Sequence, residues 1–190
     1  PFPVATLNVY LLGGPDGYVL LDCGMKTQAC RHALEAALLA LGVEWSQIRR
    51  LVLTHLHPDH FGLAAEIKRR SGAEVLMHPA EAAGMTPRYL DHDFFARHSA
   101  WLAENGVPAD ESDEIAQASV GIAEFIEMVE VDRTIEDGDR LPVDGGELEV
   151  LWAPGHSKGL LTFYFPQRKL YFSSDHIIEK ITPNIWLHSH

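Results

Sequence analysis

Residues 54–60 read Thr-His-Leu-His-Pro-Asp-His, which puts three imidazoles and a carboxylate within six positions. Neutral imidazole nitrogens and carboxylate oxygens are standard ligands of zinc and similar divalent ions. The stretch directly follows the apolar run Leu51-Val52-Leu53, so these side chains fall where a buried strand over 50–54 ends. A solvated loop that happens to be rich in histidine is the bland alternative. It gives no reason for the cluster to begin at a strand end.

Two later strand ends carry the same kinds of group. Ala153-Pro154-Gly155-His156-Ser157 places a histidine on a tight loop after a strand over 148–152, which suits a ligand better than core packing. A strand over 169–172 ends in Ser173-Ser174-Asp175-His176. His78, just before Pro79, closes a further strand and reads as a structural or supporting residue rather than a ligand. Neither a Gly-x-Ser-x-Gly turn nor a Ser-His-Asp pattern is present, which disfavours a serine hydrolase.

The elements that must position these groups follow from periodicity. An alternating run over 4–12, the turn formers Gly13-Gly14-Pro15-Asp16-Gly17 and a strand over 18–21 predict a hairpin. Thr27 is a candidate N-cap for a helix carrying Leu34, Leu38 and Leu41, with Gly42 as its stop. After the histidine-rich stretch, Leu63, Ala64 and Ile67 mark a second helix whose last turn is Lys68-Arg69-Arg70. A strand over 73–77 follows, so the order is strand, helix, strand, helix, strand, as in layered α/β domains. Residues 79–131 turn helical and irregular, and read as an insertion lying against the sheet and covering its crevice. Beyond Arg133 the chain returns to short strands and turns.

Composition narrows the function classes. At 190 residues the chain is one domain with an insertion, with 46% hydrophobic and 22% charged residues. Two cysteines, Cys23 and Cys30, make no disulfide framework and suit a reducing, cytoplasmic setting. No apolar run approaches the roughly 20 residues that span a bilayer. The net charge is −12, and residues 104–139 hold twelve acidic side chains against the single base Arg133. Such a face repels nucleic acid, so the expected partner is a small-molecule substrate, with no membrane and no particular oligomeric state implied.

Taken in order, these motifs resemble the metallo-β-lactamase superfamily. Thr-His-Leu-His-Pro-Asp-His is similar to its His-x-His-x-Asp-His signature and Leu21-Asp22-Cys23-Gly24 to its early aspartate motif. Ala153-Pro154-Gly155-His156-Ser157 is similar to its Pro-Gly-His loop, and Ser174-Asp175 to its later Gly-Asp, with serine in place of glycine. The resemblance implies a four-layer αββα sandwich. It assigns His55, His57 and His156 to one metal and Asp59 and His60 to a second, with Asp175 bridging and Asp22 orienting a ligand histidine. The implied ions are zinc, two per site, with iron or manganese as alternatives.

A further histidine that relatives draw from beyond the bridging aspartate has no counterpart here. His188 and His190 lie too close to Asp175, so a longer natural chain is expected at the C-terminus. The start at Pro1, without methionine, raises the same expectation at the N-terminus. Phe61-Gly62 stands where relatives often carry paired glycines.

A divalent metal held by neutral ligands lowers the pKa of bound water from 15.7 toward about 7, giving a hydroxide that attacks an electrophilic carbonyl. Asp175 resembles the bridging aspartate of the glyoxalase II and lactonase branches, which implies a thioester, ester or lactone substrate. An iron-dependent sulfur dioxygenase, a β-lactamase, a nuclease and a catalytically idle metal-binding domain remain as alternatives. A flavodiiron reading is disfavoured, because those relatives carry glutamate at the position of His57.

Overall fold

The structure, a computed structural model, describes residues 6–91, 93–108, 110–112, 114 and 121–185, with only the backbone for Phe95 and Ala123. His188 and His190 lie outside the described residues, as does the start of the first expected strand.

The first sheet has five strands in the order β1 (Tyr10–Gly14), β2 (Gly17–Leu21), β3 (Ile48–Val52), β4 (Glu74–Met77) and β5 (Arg133–Thr134). β1 and β2 form the expected antiparallel hairpin, Gly14 pairing with Gly17 across the turn, while β2 through β5 run parallel. The second sheet is an antiparallel meander of β6 (Arg140–Val143), β7 (Gly146–Trp152), β8 (Leu161–Phe165) and β9 (Leu170–Phe172).

Two cores account for this layering. Leu20, Leu51, Val75 and Met77 face a helical layer of α1 (Gln28–Leu41), α2 (Pro58–Phe61), α3 (Ala64–Ser71) and α4 (Pro79–Leu90). Val19, Leu21, Val52 and Leu76, which alternate with them, face Leu148, Val150, Leu161, Phe163 and Phe165 of the second sheet. The central parallel strands are covered on both sides, which is why their sequences read as continuous apolar runs. Strands of the second sheet alternate instead. Glu147 and Glu149 of β7 point away from the core side chains Leu148 and Val150.

Several boundaries differ from expectation. β3 ends at Val52, so Leu53 and Thr54 already belong to the loop bearing the histidines. The helix after that loop breaks into α2 and α3 at Gly62. A Cβ on Gly62 would lie 2.5–2.6 Å from the backbone atoms Phe125 O, Lys26 N and Pro58 O, so that position requires glycine. Its neighbour Phe61 is fully buried in the core, so a bulky side chain is well placed there. The segment 79–131 contains α4, a helix α5 (Phe94–Glu104) and a 3₁₀ turn at Gly121–Phe125. α4 sends Met85, Ala82 and Tyr89 into the first core beside Leu56 and Phe61. Among the described residues no helix is long and apolar enough to cross a membrane.

The parallel strands β2, β3 and β4 end at one edge of the first sheet, delivering Asp22, the 53–60 loop and His78 there. β7 and β9 run in one direction, each antiparallel to β8, and end at His156 and Asp175. The bond from Leu161 N–H to Thr54 O, 3.0 Å, ties the two edges together.

Candidate metal centre

Three imidazoles converge at this joined edge. His55 Nε2 lies 2.9 Å from His57 Nδ1, which lies 2.8 Å from His156 Nε2. These separations approach the roughly 3.3 Å edge of a tetrahedron built on zinc–nitrogen bonds of about 2.0–2.1 Å. The three donors come from two loops about a hundred residues apart in sequence. A second group, His55, His60 and Asp175, also has its donor atoms within 4.8 Å of one another. Asp59 stands at its edge, with Oδ2 3.5 Å from His60 Nε2. Asp175 presents one oxygen to each side: Oδ1 is 3.4 Å from His60 Nε2 and Oδ2 is 3.4 Å from His156 Nε2. All six residues named from the sequence therefore meet at one place, joined by Asp22 through His60.

Hydrogen bonds on the far side of the rings set which nitrogen is free. His156 Nδ1–H donates to Asn184 O at 2.7 Å, and His60 Nδ1–H to Asp22 Oδ2 at 2.7 Å. Each leaves the Nε2 lone pair facing the cluster, the arrangement typical of metal-bound histidine. His55, wholly buried and crowded by three other imidazoles, has a pKa well below the usual histidine range, from burial first and then from His60, His57 and His156. It is therefore neutral and available as a ligand.

His60 Nε2 tests whether these residues fit a cation. The atom is buried and has no hydrogen-bond partner among the described residues, with Asp59 and Asp175 standing off at 3.5 and 3.4 Å. A lone pair aimed between two carboxylates is the environment a divalent ion completes, and the residues fit one. Burial by itself would lower the pKa of His60, but Asp22 and Asp175 outweigh it and raise it well above the ordinary value. Without an ion a proton therefore takes that place. Burial pushes Asp59 up, an effect only partly offset by His60. For Asp175, burial is outweighed by the approach of His60 and His156, which hold it below the usual carboxylate range.

Glu81 and Tyr89 are neighbours of the cluster that motif reading did not single out, and Thr54 and Ser174, which stood in its motifs, had no role assigned. Thr54 Oγ1 donates to Asp22 Oδ2 at 2.9 Å and accepts from Ser174 Oγ at 2.9 Å, and it lies 3.0 Å from His55 Nδ1. Its backbone N–H also donates to Asp22 Oδ1 at 2.8 Å. Burial pushes the Tyr89 hydroxyl up to about 12, so it remains a donor. Asp22 and Ser174 both adopt left-handed backbone, φ 59° and 45°. Among the described residues His78 joins neither donor group. Its Nδ1 accepts from Ala80 N–H at the start of α4, and its ring stacks on Trp152.

The positive φ at Ser174 suits the glycine of the Gly-Asp motif that Ser174-Asp175 resembles. Left-handed backbone costs a side chain about 1–2 kcal/mol, and a hydrogen bond contributes about 1 kcal/mol. Ser174→Gly, which relieves the first and loses the second, is expected to unfold within about 1 kcal/mol of the parent. Ser174→Ala loses the bond and keeps the strain, and should be about 1–2 kcal/mol less stable than the glycine variant. Urea midpoints compare the two, and equal stability would sink this account.

Residues 4–190 match the model of the metallo-beta-lactamase superfamily, and the chain belongs to that superfamily. Among solved structures it is similar to a metallo-beta-lactamase family protein, TTHA1429, from Thermus thermophilus. That match has 34% identity and a TM-score of 0.81, covering 98% of this chain and 60% of that one. It is 28% identical to the probable metallo-hydrolase YqjP of Bacillus subtilis (strain 168), over 97% of this chain and 56% of YqjP. It is 27% identical to the acyl-coenzyme A thioesterase MBLAC2 of Gallus gallus, over 88% of this chain and 56% of MBLAC2. The chain thus spans a little over half the length of these curated relatives. Its fold is that of the superfamily, with one helical layer and both sheets in the described residues.

Proposed function

We propose that this protein is a zinc-dependent hydrolase that opens a thioester, with simple esters and lactones as related substrates. The observation that carries the reading is the pair of donor groups spanned by the two oxygens of Asp175, with the buried lone pair of His60 between Asp59 and Asp175. In this reading His55, His57 and His156 hold one ion, and His60, Asp59 and Asp175 surround the place of a second. Ions bound there supply an acidified water and a positive charge opposite a developing oxyanion.

The chain's own groups supply the rest. His55 stays neutral, and the Nε2 atoms of His55 and His156 point inward. Asp59, whose affinity for a proton is raised by burial, accepts a hydrogen bond from the attacking water and carries its proton toward the departing thiolate. A cavity of about 480 Å³ opens onto Asp59, His60 and Asp175, with Leu7, Tyr10, Phe172 and Ile177 among its apolar walls. Such walls suit an acyl chain, leaving the carbonyl at the carboxylates. The name of the MBLAC2 relative, an acyl-coenzyme A thioesterase, supports the same substrate class.

The test is turnover of a panel of acyl thioesters, esters and lactones by metal-loaded protein. Thioester hydrolysis should disappear with a chelator and return with zinc. A loaded protein that hydrolyses none of them overturns the proposal, and stoichiometric iron with oxygen uptake would favour the dioxygenase instead.

A further inference from the structure

Glu81, in the first turn of α4, is 1% exposed, and nothing in the hydrolytic reading above uses it. Its Oε2 accepts from Leu56 N–H at 2.8 Å, and Leu56 is the residue between His55 and His57. Its Oε1 accepts from Gly159 N–H at 2.6 Å, three residues beyond His156. One buried carboxylate therefore joins the two loops that supply all three convergent imidazoles.

The rest of α4 completes the hold on Leu56. Tyr89 Oη–H donates to Leu56 O at 2.8 Å. A Cβ on Gly84 would come within 2.9 Å of Leu56 Cδ2, so the side chain lies close against the helix. Glu81, Gly84 and Tyr89 thus grip the N–H, the side chain and the C=O of a single residue. On the other loop, a Cβ at Gly159 would fall 2.4 Å from His78 Nδ1 and 2.8 Å from Glu81 Cγ. Only glycine lets that loop approach the carboxylate.

His57 Nδ1 lies 2.8–2.9 Å from both His55 Nε2 and His156 Nε2 and has at most one proton to give, so hydrogen bonding alone does not hold the three nitrogens together as a cation among them would. Their loops must be held together by other contacts, and bonds from N–H groups to a buried carboxylate are among the stronger ones a protein can make. We propose that Glu81 is a positioning residue of the three-histidine group: it sets the distance between the 53–60 and 153–159 loops, with Tyr89 as its partner. The proposal rests on the metal-binding reading of that group. Its claim is separate, because it concerns how tightly and in what geometry the ion is held.

Glu81→Gln puts an amide N–H against a backbone N–H and breaks one of the two bonds at nearly constant volume. We expect its zinc affinity, measured by competition with a chromophoric chelator, to fall about 10–100-fold, the usual effect of losing a group that orients metal ligands. The visible absorption spectrum of the cobalt-loaded variant should shift. Leu148→Ala, in the core between the sheets and away from the site, serves as the control. It should lower the melting temperature while leaving zinc affinity and the cobalt spectrum unchanged. If Glu81→Gln does not fold, Tyr89→Phe removes only the hydroxyl on Leu56 O and should weaken zinc binding several-fold. A Glu81→Gln or Tyr89→Phe protein that melts early but binds zinc within twofold of the parent, with an unchanged cobalt spectrum, overturns the proposal. A parent protein that takes up neither ion overturns it together with the metal-binding reading. Tight metal binding by the parent without hydrolysis removes only the catalytic reading.

Discussion

Replacing Asp22 by alanine is expected to lower the unfolding free energy of the metal-free protein by about 3–5 kcal/mol. The carboxylate is 4% exposed and accepts three bonds, from Thr54 N–H, Thr54 Oγ1–H and His60 Nδ1–H. Its removal leaves three buried donors without acceptors, each of which costs about 1–3 kcal/mol. It also removes the charge that helps keep a proton on His60. Asn tolerates the left-handed backbone at this position, so Asp22→Asn separates the two effects. Its amide matches the volume but turns a donor toward other donors, and about 2–3 kcal/mol should be lost. Because His60 would no longer be oriented by an acceptor, occupancy of the second ion should weaken about 10–100-fold. Denaturant unfolding of the metal-free variants gives the first quantity and metal titration the second. A loss under about 1 kcal/mol for Asp22→Ala would mean that water replaces the carboxylate at little cost.

The second large effect is expected at His57, and its sign depends on the ion. His57 Nδ1 is the middle donor, within 2.9 Å of both other imidazole nitrogens, and the residue is half-buried. Without metal, His57 Nδ1 can give its one proton to only one of two nitrogens 2.8–2.9 Å away, and His57→Ala relieves that crowding, so its melting temperature should equal or exceed that of the parent. With saturating zinc the order should reverse. An ion at a hundred times its dissociation constant stabilises the parent by about 2.7 kcal/mol, and the variant should lose most of that. Hydrolysis should fall at least about 1,000-fold, since both the acidified water and the charge facing the oxyanion go with the ion. Melting curves with and without zinc, paired with thioester turnover, make the measurement. If zinc raised the melting temperature of variant and parent equally, His57 would not be a ligand.

What was legible in the sequence was chemistry concentrated in short stretches. His55, His57, Asp59 and His60 announce themselves because ligands at a strand end are a local pattern, and His156 and Asp175 fall at strand ends of the same kind. The layered α/β class was legible too, since buried parallel strands and amphipathic helices differ in apolar period. The four-layer architecture came from family likeness, because period alone does not say which faces of two sheets meet.

Of the supporting contacts, family likeness implied only that Asp22 orients a ligand histidine, which it does at His60, 38 residues on. The others were not legible: Asp22 reaches Thr54 across 32 residues, Ser174 reaches Thr54 across 120, and Glu81 reaches Leu56 and Gly159 across 25 and 78. Glu81 reads locally as an ordinary acid in the first turn of a helix, where the dipole favours it. Only the packing of α4 beneath both loops buries its carboxylate and turns it into a joint. Residue types and their order along the chain determine which groups can bind an ion. The pairing of strands and the meeting of two sheets decide which nitrogen faces inward, how far apart the donors stand, and what holds them there. Those are distances between residues remote in sequence, and no short stretch of sequence contains them.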